Sequence, residues 1–104
     1  MKPFAPPVSS LDDITQRLQR RAGQLRAFGV EGVTVFGSFA TGAFDADSDV
    51  DLVVEPTPAN FRRLLDLEDF LESCLMRRVD VVTAGAVKPA LAAEIARVGR
   101  KIAL

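Results

Sequence analysis

The sequence predicts an α/β domain, a small mixed β-sheet with helices packed mainly on one face. Three observations predict it. Apolar residues recur at helical intervals over residues 11–28, 59–75 and 88–98. Between those segments lie short runs rich in valine, at 33–36, 49–55 and 78–83, which read as strands. The chain has 104 residues, so it holds one domain around one modest core.

The elements follow in order. Residues 1–8 contain Pro3, Pro6 and Pro7 and read as an N-terminal arm, with the domain spanning 9–104. Ser10 is placed as an N-cap, and Asp13 stands at capping-box spacing. Leu11, Ile14, Leu18, Ala22, Leu25 and Phe28 then form one apolar stripe, so 11–28 is expected to be a single helix ended by Gly29. Arg17, Arg20, Arg21 and Arg26 occupy its outer, solvated face. Residues 33–36 form a short buried strand. Ser38 opens a brief helix ended by Gly42. Val50, Leu52 and Val54 alternate with Asp49 and Asp51 in the second strand. Pro56 and Pro58 break it, and Pro58 suits the first turn of the helix over 59–75. That helix is expected to bury Phe61, Leu64, Leu65, Leu67, Leu71, Cys74 and Leu75. A third strand at 78–83 precedes a turn at Ala84-Gly85. The helix over 88–98 turns Leu91, Ile95 and Val98 inward, and 101–104 form a short last strand.

Composition excludes several function classes. The net charge is -1, so no basic field favours nucleic acid. No apolar run approaches the ~20 residues of a membrane helix. The N-terminus lacks the apolar centre of a signal peptide. One cysteine, Cys74, excludes an internal disulfide and fits a cytoplasmic protein; its place on an apolar helix side reads as a packed thiol. There is no histidine, so any base must be a carboxylate or water. There is no tyrosine, so the chain cannot modify a tyrosine of its own.

The chemistry concentrates at Gly37-Ser38, followed after ten residues by Asp49-Val50-Asp51. Gly37 has no Cβ, so its backbone can approach a ligand closely. Ser38 brings a hydroxyl beside the free N–H groups of a helix start, which hold anions. Asp49 and Asp51 at i and i+2 of a strand share a face, with Cα atoms roughly 6.5 Å apart. Two carboxylates so held repel unless cations sit between them. Asp80, inside Val79-Asp80-Val81-Val82, is a third charge in an apolar run, costly unless paired or metal-bound. The set reads as phosphate at Gly37-Ser38 and one or two Mg²⁺ ions on the aspartates, for in-line attack at phosphorus. Asp45 and Asp47 read instead as solvated loop residues, Glu55 as solvent-facing, and Arg77 and Arg78 as solvated strand-end residues.

Gly37-Ser38, Asp49-Val50-Asp51 and the later strand residue Asp80 together resemble the nucleotidyltransferase superfamily of DNA polymerase beta. The small size resembles its minimal nucleotidyltransferase branch, whose members often act as type VII-like antitoxins of HEPN-domain toxins. The resemblance covers about residues 11–104. It implies the polymerase-beta-like fold, ATP as substrate, one or two Mg²⁺ ions at Asp49, Asp51 and Asp80, and triphosphate binding at Gly37 and Ser38. It implies AMP transfer to a tyrosine hydroxyl of a HEPN-type toxin. Many minimal members carry arginines directly after Gly-Ser; here Phe39, Ala40 and Thr41 stand there. Two other readings stay open: a nucleotidyltransferase for a small-molecule alcohol such as an antibiotic, and a non-catalytic antitoxin that blocks its toxin by binding.

Overall fold

In the computed structural model, which describes residues 6–104, there are five α-helices, four strands and one 3-10 turn at Ala84–Ala86. The helices and strands are α1 (Leu11–Arg20), α2 (Ala22–Ala27), β1 (Gly32–Phe36), α3 (Ser38–Thr41), β2 (Val50–Glu55), α4 (Phe61–Leu75), β3 (Val79–Thr83), α5 (Pro89–Val98) and β4 (Arg100–Ile102). The sheet order is β3-β2-β1-β4. β1 runs antiparallel to β2 and β4, whereas β2 and β3 are parallel. The sheet is therefore mixed.

Alternation along the strands sorts the residues onto two faces. Val33, Val35, Val50, Leu52 and Val54 are fully buried in one cluster with Ile14, Leu18 and Leu25 of the first two helices and Leu67, Leu71 and Leu75 of α4. The other face carries Thr34, Phe36, Asp51 and Val53, in register with one another across β1 and β2. Asp80 and Val82 extend it across β3. Val8 is fully buried, and its N–H donates to the Leu75 carbonyl at 3.0 Å. The rest of the proline-containing arm, residues 1–5, lies outside the described residues.

Several expectations are corrected. The helix over 11–28 is two helices. Arg21 sits at φ -107° and ψ 18°, and its N–H bonds back to Leu18 at 3.1 Å. The ladder resumes from Leu25 to Arg21 at 2.9 Å. Gly23, a poor helix former, follows at once. The bend keeps both Leu18 and Leu25 fully buried. At the N-cap, Ser10 Oγ accepts from Asp13 N–H at 3.0 Å, but the Asp13 carboxylate accepts from Ser9 N–H at 3.1 Å rather than from Ser10.

α4 begins at Phe61, capped by Asn60, whose side chain accepts from Arg63 N–H at 2.9 Å. Pro58 therefore precedes the helix. Phe61 and Leu65 are not core residues, being 71% and 42% exposed. Leu65 lies two residues from Leu67, ~200° around a helix that turns ~100° per residue, so it faces away from the buried stripe. α5 buries no residue completely; Leu91, Ile95 and Val98 are half-buried. The last strand starts at Arg100, one residue earlier than expected, and ends at Ile102, two residues earlier than expected.

β3 is an edge strand, and α4 covers its outer rim. Glu72 Oε2 accepts from Val79 N–H at 3.0 Å, and Glu68 stands one turn earlier on the same helix. Capped this way, the edge offers less to strand pairing with another chain. Burial, then the charges of Glu72 and Asp80, pushes the Glu68 carboxyl above its ordinary value.

Candidate active site

The site is built where β1 ends, β2 begins and β3 runs alongside. β1 closes at Phe36, and the next residue, Gly37, takes φ 70° and ψ -150°. Only glycine adopts that backbone readily. A methyl group on Gly37 would also collide with the Asp51 carboxylate. The loop preceding α3 is thus pressed directly against an acidic side chain. Ser38 is the first residue of α3, after the cap position rather than at it. The Gly37 carbonyl accepts from Ala40 at 3.1 Å and Thr41 at 3.3 Å, and Gly42 at φ 85° ends the helix.

Asp51 is half-buried within β2 and stands in register with Asp80 on the parallel neighbour β3. Parallel pairing puts the two carboxylates on one face of adjacent strands. Asp49 is exposed and sits just before β2, in extended chain rather than in the strand. Its strand assignment is therefore corrected, although its charge still acts on Asp51. The Asp51 carboxyl is pushed up from 3.8 to about 6, first by burial, then by Asp80, Asp49 and Glu94. Glu94 comes from α5 and was not picked out in the sequence. Its spacing within an amphipathic helix carries no signal beyond that of any solvated glutamate.

These donors suit a hard divalent cation. They are all carboxylate oxygens, and Asp51 binds its proton more tightly than usual because it is buried and has carboxylates beside it. Among the described residues, no three acidic or cysteine side chains come together as a group that could hold a metal ion, so Asp49, Asp51 and Asp80 are not gathered as one three-ligand set. Mg²⁺ is commonly held by one or two carboxylates, with water and substrate phosphates filling the rest. The open arrangement matches that mode.

The other residues weighed in the sequence fall elsewhere. Asp45 Oδ1 accepts from Asp47 N–H at 2.8 Å and from the Ser48 hydroxyl at 3.3 Å, which shapes the loop ahead of Asp49. Glu55 is exposed at the far end of β2. Cys74 is half-buried, and burial pushes its thiol above the ordinary value, so it stays protonated at neutral pH. Arg78 is exposed, whereas Arg77 is not a solvated strand-end residue: its side chain binds four backbone carbonyls. Phe39 is 2% exposed and stacks on Phe44, with centroids 4.2 Å apart. A side chain so enclosed serves the fold and cannot reach a phosphate. An open cavity of about 420 Å³, lined by Pro7, Ser48, Asp49, Met76, Arg77 and Arg78, adjoins the Asp49 end of the site.

Comparison with known proteins gives one consistent result. The sequence pattern of the family described as "Polymerase beta, Nucleotidyltransferase" matches residues 18–103. The chain is 36% identical over 91 residues to the protein adenylyltransferase MntA of Thermococcus cleftensis, covering 85% of this chain and 91% of that one. A solved minimal nucleotidyltransferase superposes with a TM-score of 0.72 at 30% identity, covering 88% of this chain and 95% of the other. A toxin-antitoxin structure with AMP-PNP has the same fold, with a TM-score of 0.68 at 22% identity, covering 84% and 70%. So does a complex of a tri-AMPylated HEPN toxin with its MNT antitoxin from Shewanella oneidensis, with a TM-score of 0.58 at 19% identity, covering 85% and 70%.

Proposed function

Because the chain belongs to the polymerase beta nucleotidyltransferase family, we propose that it is a divalent-cation-dependent protein adenylyltransferase. In this reading it is the antitoxin of a HEPN-type toxin and moves AMP from ATP to a tyrosine hydroxyl of that partner. The observation that carries it is the register of Asp51 with Asp80, set against the Gly37 turn. The protein adenylyltransferase MntA of Thermococcus cleftensis supports the nucleotide-transferring class, and the AMPylated HEPN toxin of Shewanella oneidensis supports the acceptor.

Each residue then has a task. Gly37 lets the triphosphate approach the backbone, and Ser38 offers its hydroxyl to a phosphate oxygen. Asp49, Asp51 and Asp80 would hold Mg²⁺, as one or two ions. Bound Mg²⁺ supplies positive charge against the phosphate oxygens. Asp80, an exposed carboxylate in register with Asp51, takes the proton of the attacking tyrosine hydroxyl. The bond from tyrosyl oxygen to the α-phosphorus forms, the bond from that phosphorus to the β-phosphate oxygen breaks, and pyrophosphate leaves. Asp51, deeper in the sheet, is fixed by the strand on either side and keeps the geometry constant. The acceptor must come from a partner, since the chain has no tyrosine and its site lies open on the sheet face.

Incubation of the chain with α-labelled ATP, Mg²⁺ and a HEPN-type toxin tests the reading. Label is expected on a toxin tyrosine, and Asp80→Asn is expected to stop transfer while leaving the complex intact. Neutralisation of the toxin without any label on it would establish simple blockade instead. Label on a small alcohol with no protein present would establish the small-molecule reading.

A further inference from the structure

We propose that Arg77 is the positioning residue of this site, a single guanidinium that fixes both the loop delivering Asp49 and the aromatic layer beside the Gly37-Ser38 turn. The inference rests on the proposed function for its catalytic meaning and on geometry for its structural one. Arg77 Nη1 donates to the carbonyls of Asp45, Ala46 and Ser48 at 3.1, 3.1 and 3.0 Å. Its Nε donates to the Val8 carbonyl at 2.8 Å. The Ser48 carbonyl belongs to the peptide that leads into Asp49. The same guanidinium lies over the Phe39 ring, 5.0 Å from its centroid, and Phe39 follows Ser38 directly. One side chain therefore touches the segment before Asp49, the helix that begins at Ser38, and the buried strap at Val8.

Local backbone aims it there. Met76, the residue before, has φ 55°, a left-handed conformation that non-glycine residues rarely hold unless their surroundings impose it. That reversal ends α4 and turns the chain back, so that Arg77 reaches across the start of β2 while β3 begins two residues later. No carboxylate among the described residues forms an ion pair with Arg77. Its partners are neutral carbonyls and a ring, arranged to suit a planar fork of donors. Lysine keeps the charge but concentrates its donors on one nitrogen, so it cannot serve Val8 and the loop together.

Loop order gives a readout independent of any reaction. The amides of Asp45, Asp47 and Ser48 are all bonded within the loop. In Arg77→Lys, their hydrogen exchange is expected to rise by at least ~10-fold, while amides of 52–54 inside β2 keep their rates. Arg78→Ala, one residue away and without these bonds, is expected to leave loop exchange unchanged. With toxin and ATP, Arg77→Lys is expected to lower kcat by at least ~10-fold with the KM for ATP shifted less than ~3-fold. Added guanidinium ion is expected to restore part of that rate in Arg77→Ala. Wild-type exchange rates in Arg77→Lys overturn the proposal, as does a rise spread evenly over the chain, which marks a general staple. If wild type transfers no AMP, the proposed function falls by itself, and the exchange pattern still decides whether Arg77 holds the Asp49 loop.

Discussion

Asp51→Asn removes a carboxylate that the fold holds away from its preferred charge state. Its carboxyl titrates at about 6 in the folded protein against 3.8 ordinarily, mainly through burial and the nearby Asp80. Below 3.8 both folded and unfolded forms hold the proton, and the group costs nothing. As pH rises toward 6 the unfolded chain releases its proton while the folded chain retains it, so stability falls. Above about 6 the full cost is present. At ~1.36 kcal/mol per tenfold change in affinity the cost would be about 3 kcal/mol, and solvent screening at a half-buried position reduces it to ~1.5 kcal/mol. Asparagine is uncharged at every pH and escapes it. Thermal unfolding at pH 7.5 without divalent cations should therefore show Asp51→Asn more stable by ~6–12 °C. At pH 4.5 the gain should shrink to about a third, because the folded form still holds its proton there. A variant no more stable than wild type at pH 7.5, or equally stabilised at both pH values, would refute the reasoning.

Three further outcomes follow from the same geometry. Millimolar Mg²⁺ or Mn²⁺ should raise the melting temperature of the wild type by relieving repulsion among the aspartates, and the Asp49→Asn/Asp51→Asn double variant should lose that response in the same thermal scan. Gly37→Ala should lose at least ~1–2 kcal/mol in urea unfolding, because its left-handed backbone is disfavoured with a Cβ and the added methyl meets Asp51. Ser38→Ala should change stability by less than ~0.5 kcal/mol, since Ser38 makes no capping bond, while weakening ATP use in the labelling assay.

Much of the fold was legible because burial follows period. The alternation Val50, Leu52, Val54 against Asp51 placed the second strand, and Gly42 marked the end of the short helix where the chain turns left-handed. Spacing of Gly37-Ser38 and the aspartates also marked the region that the sheet assembles. What sequence patterns missed was tertiary. The bend of the first helix at Arg21 has only Gly23 as a local sign, and the apolar stripe continues across the break. Phe61 and Leu65 looked like core residues by composition alone, and only helix phase against the sheet exposes them. Arg77 and Glu94 act across 29 or more residues of chain, Arg77 on Ser48 and Glu94 on Asp51, where propensity and period have no reach.

The departure after Gly37-Ser38 has a structural logic of its own. At the place where many relatives carry a phosphate-reaching arginine, Phe39 is instead committed to the core, stacked on Phe44 and capped by Arg77. Ala40 and Thr41 bring no charge, and the Thr41 hydroxyl already donates to the Ser38 carbonyl at 3.3 Å, so α3 offers a phosphate mainly backbone N–H groups and the Ser38 hydroxyl. The acidic side of the site is unchanged by this: Asp51 faces Asp80, with Asp49 and Glu94 adding to the field. A triphosphate approaching this surface meets like charge with no arginine from α3 to offset it. Divalent cations, if bound at the carboxylates as proposed, would then supply most of the neutralisation. ATP binding by this chain should accordingly depend on divalent cations more steeply than in relatives that keep arginines after Gly-Ser. Calorimetric titration with and without Mg²⁺ measures that difference, and equal ATP affinity in the two conditions would defeat the argument.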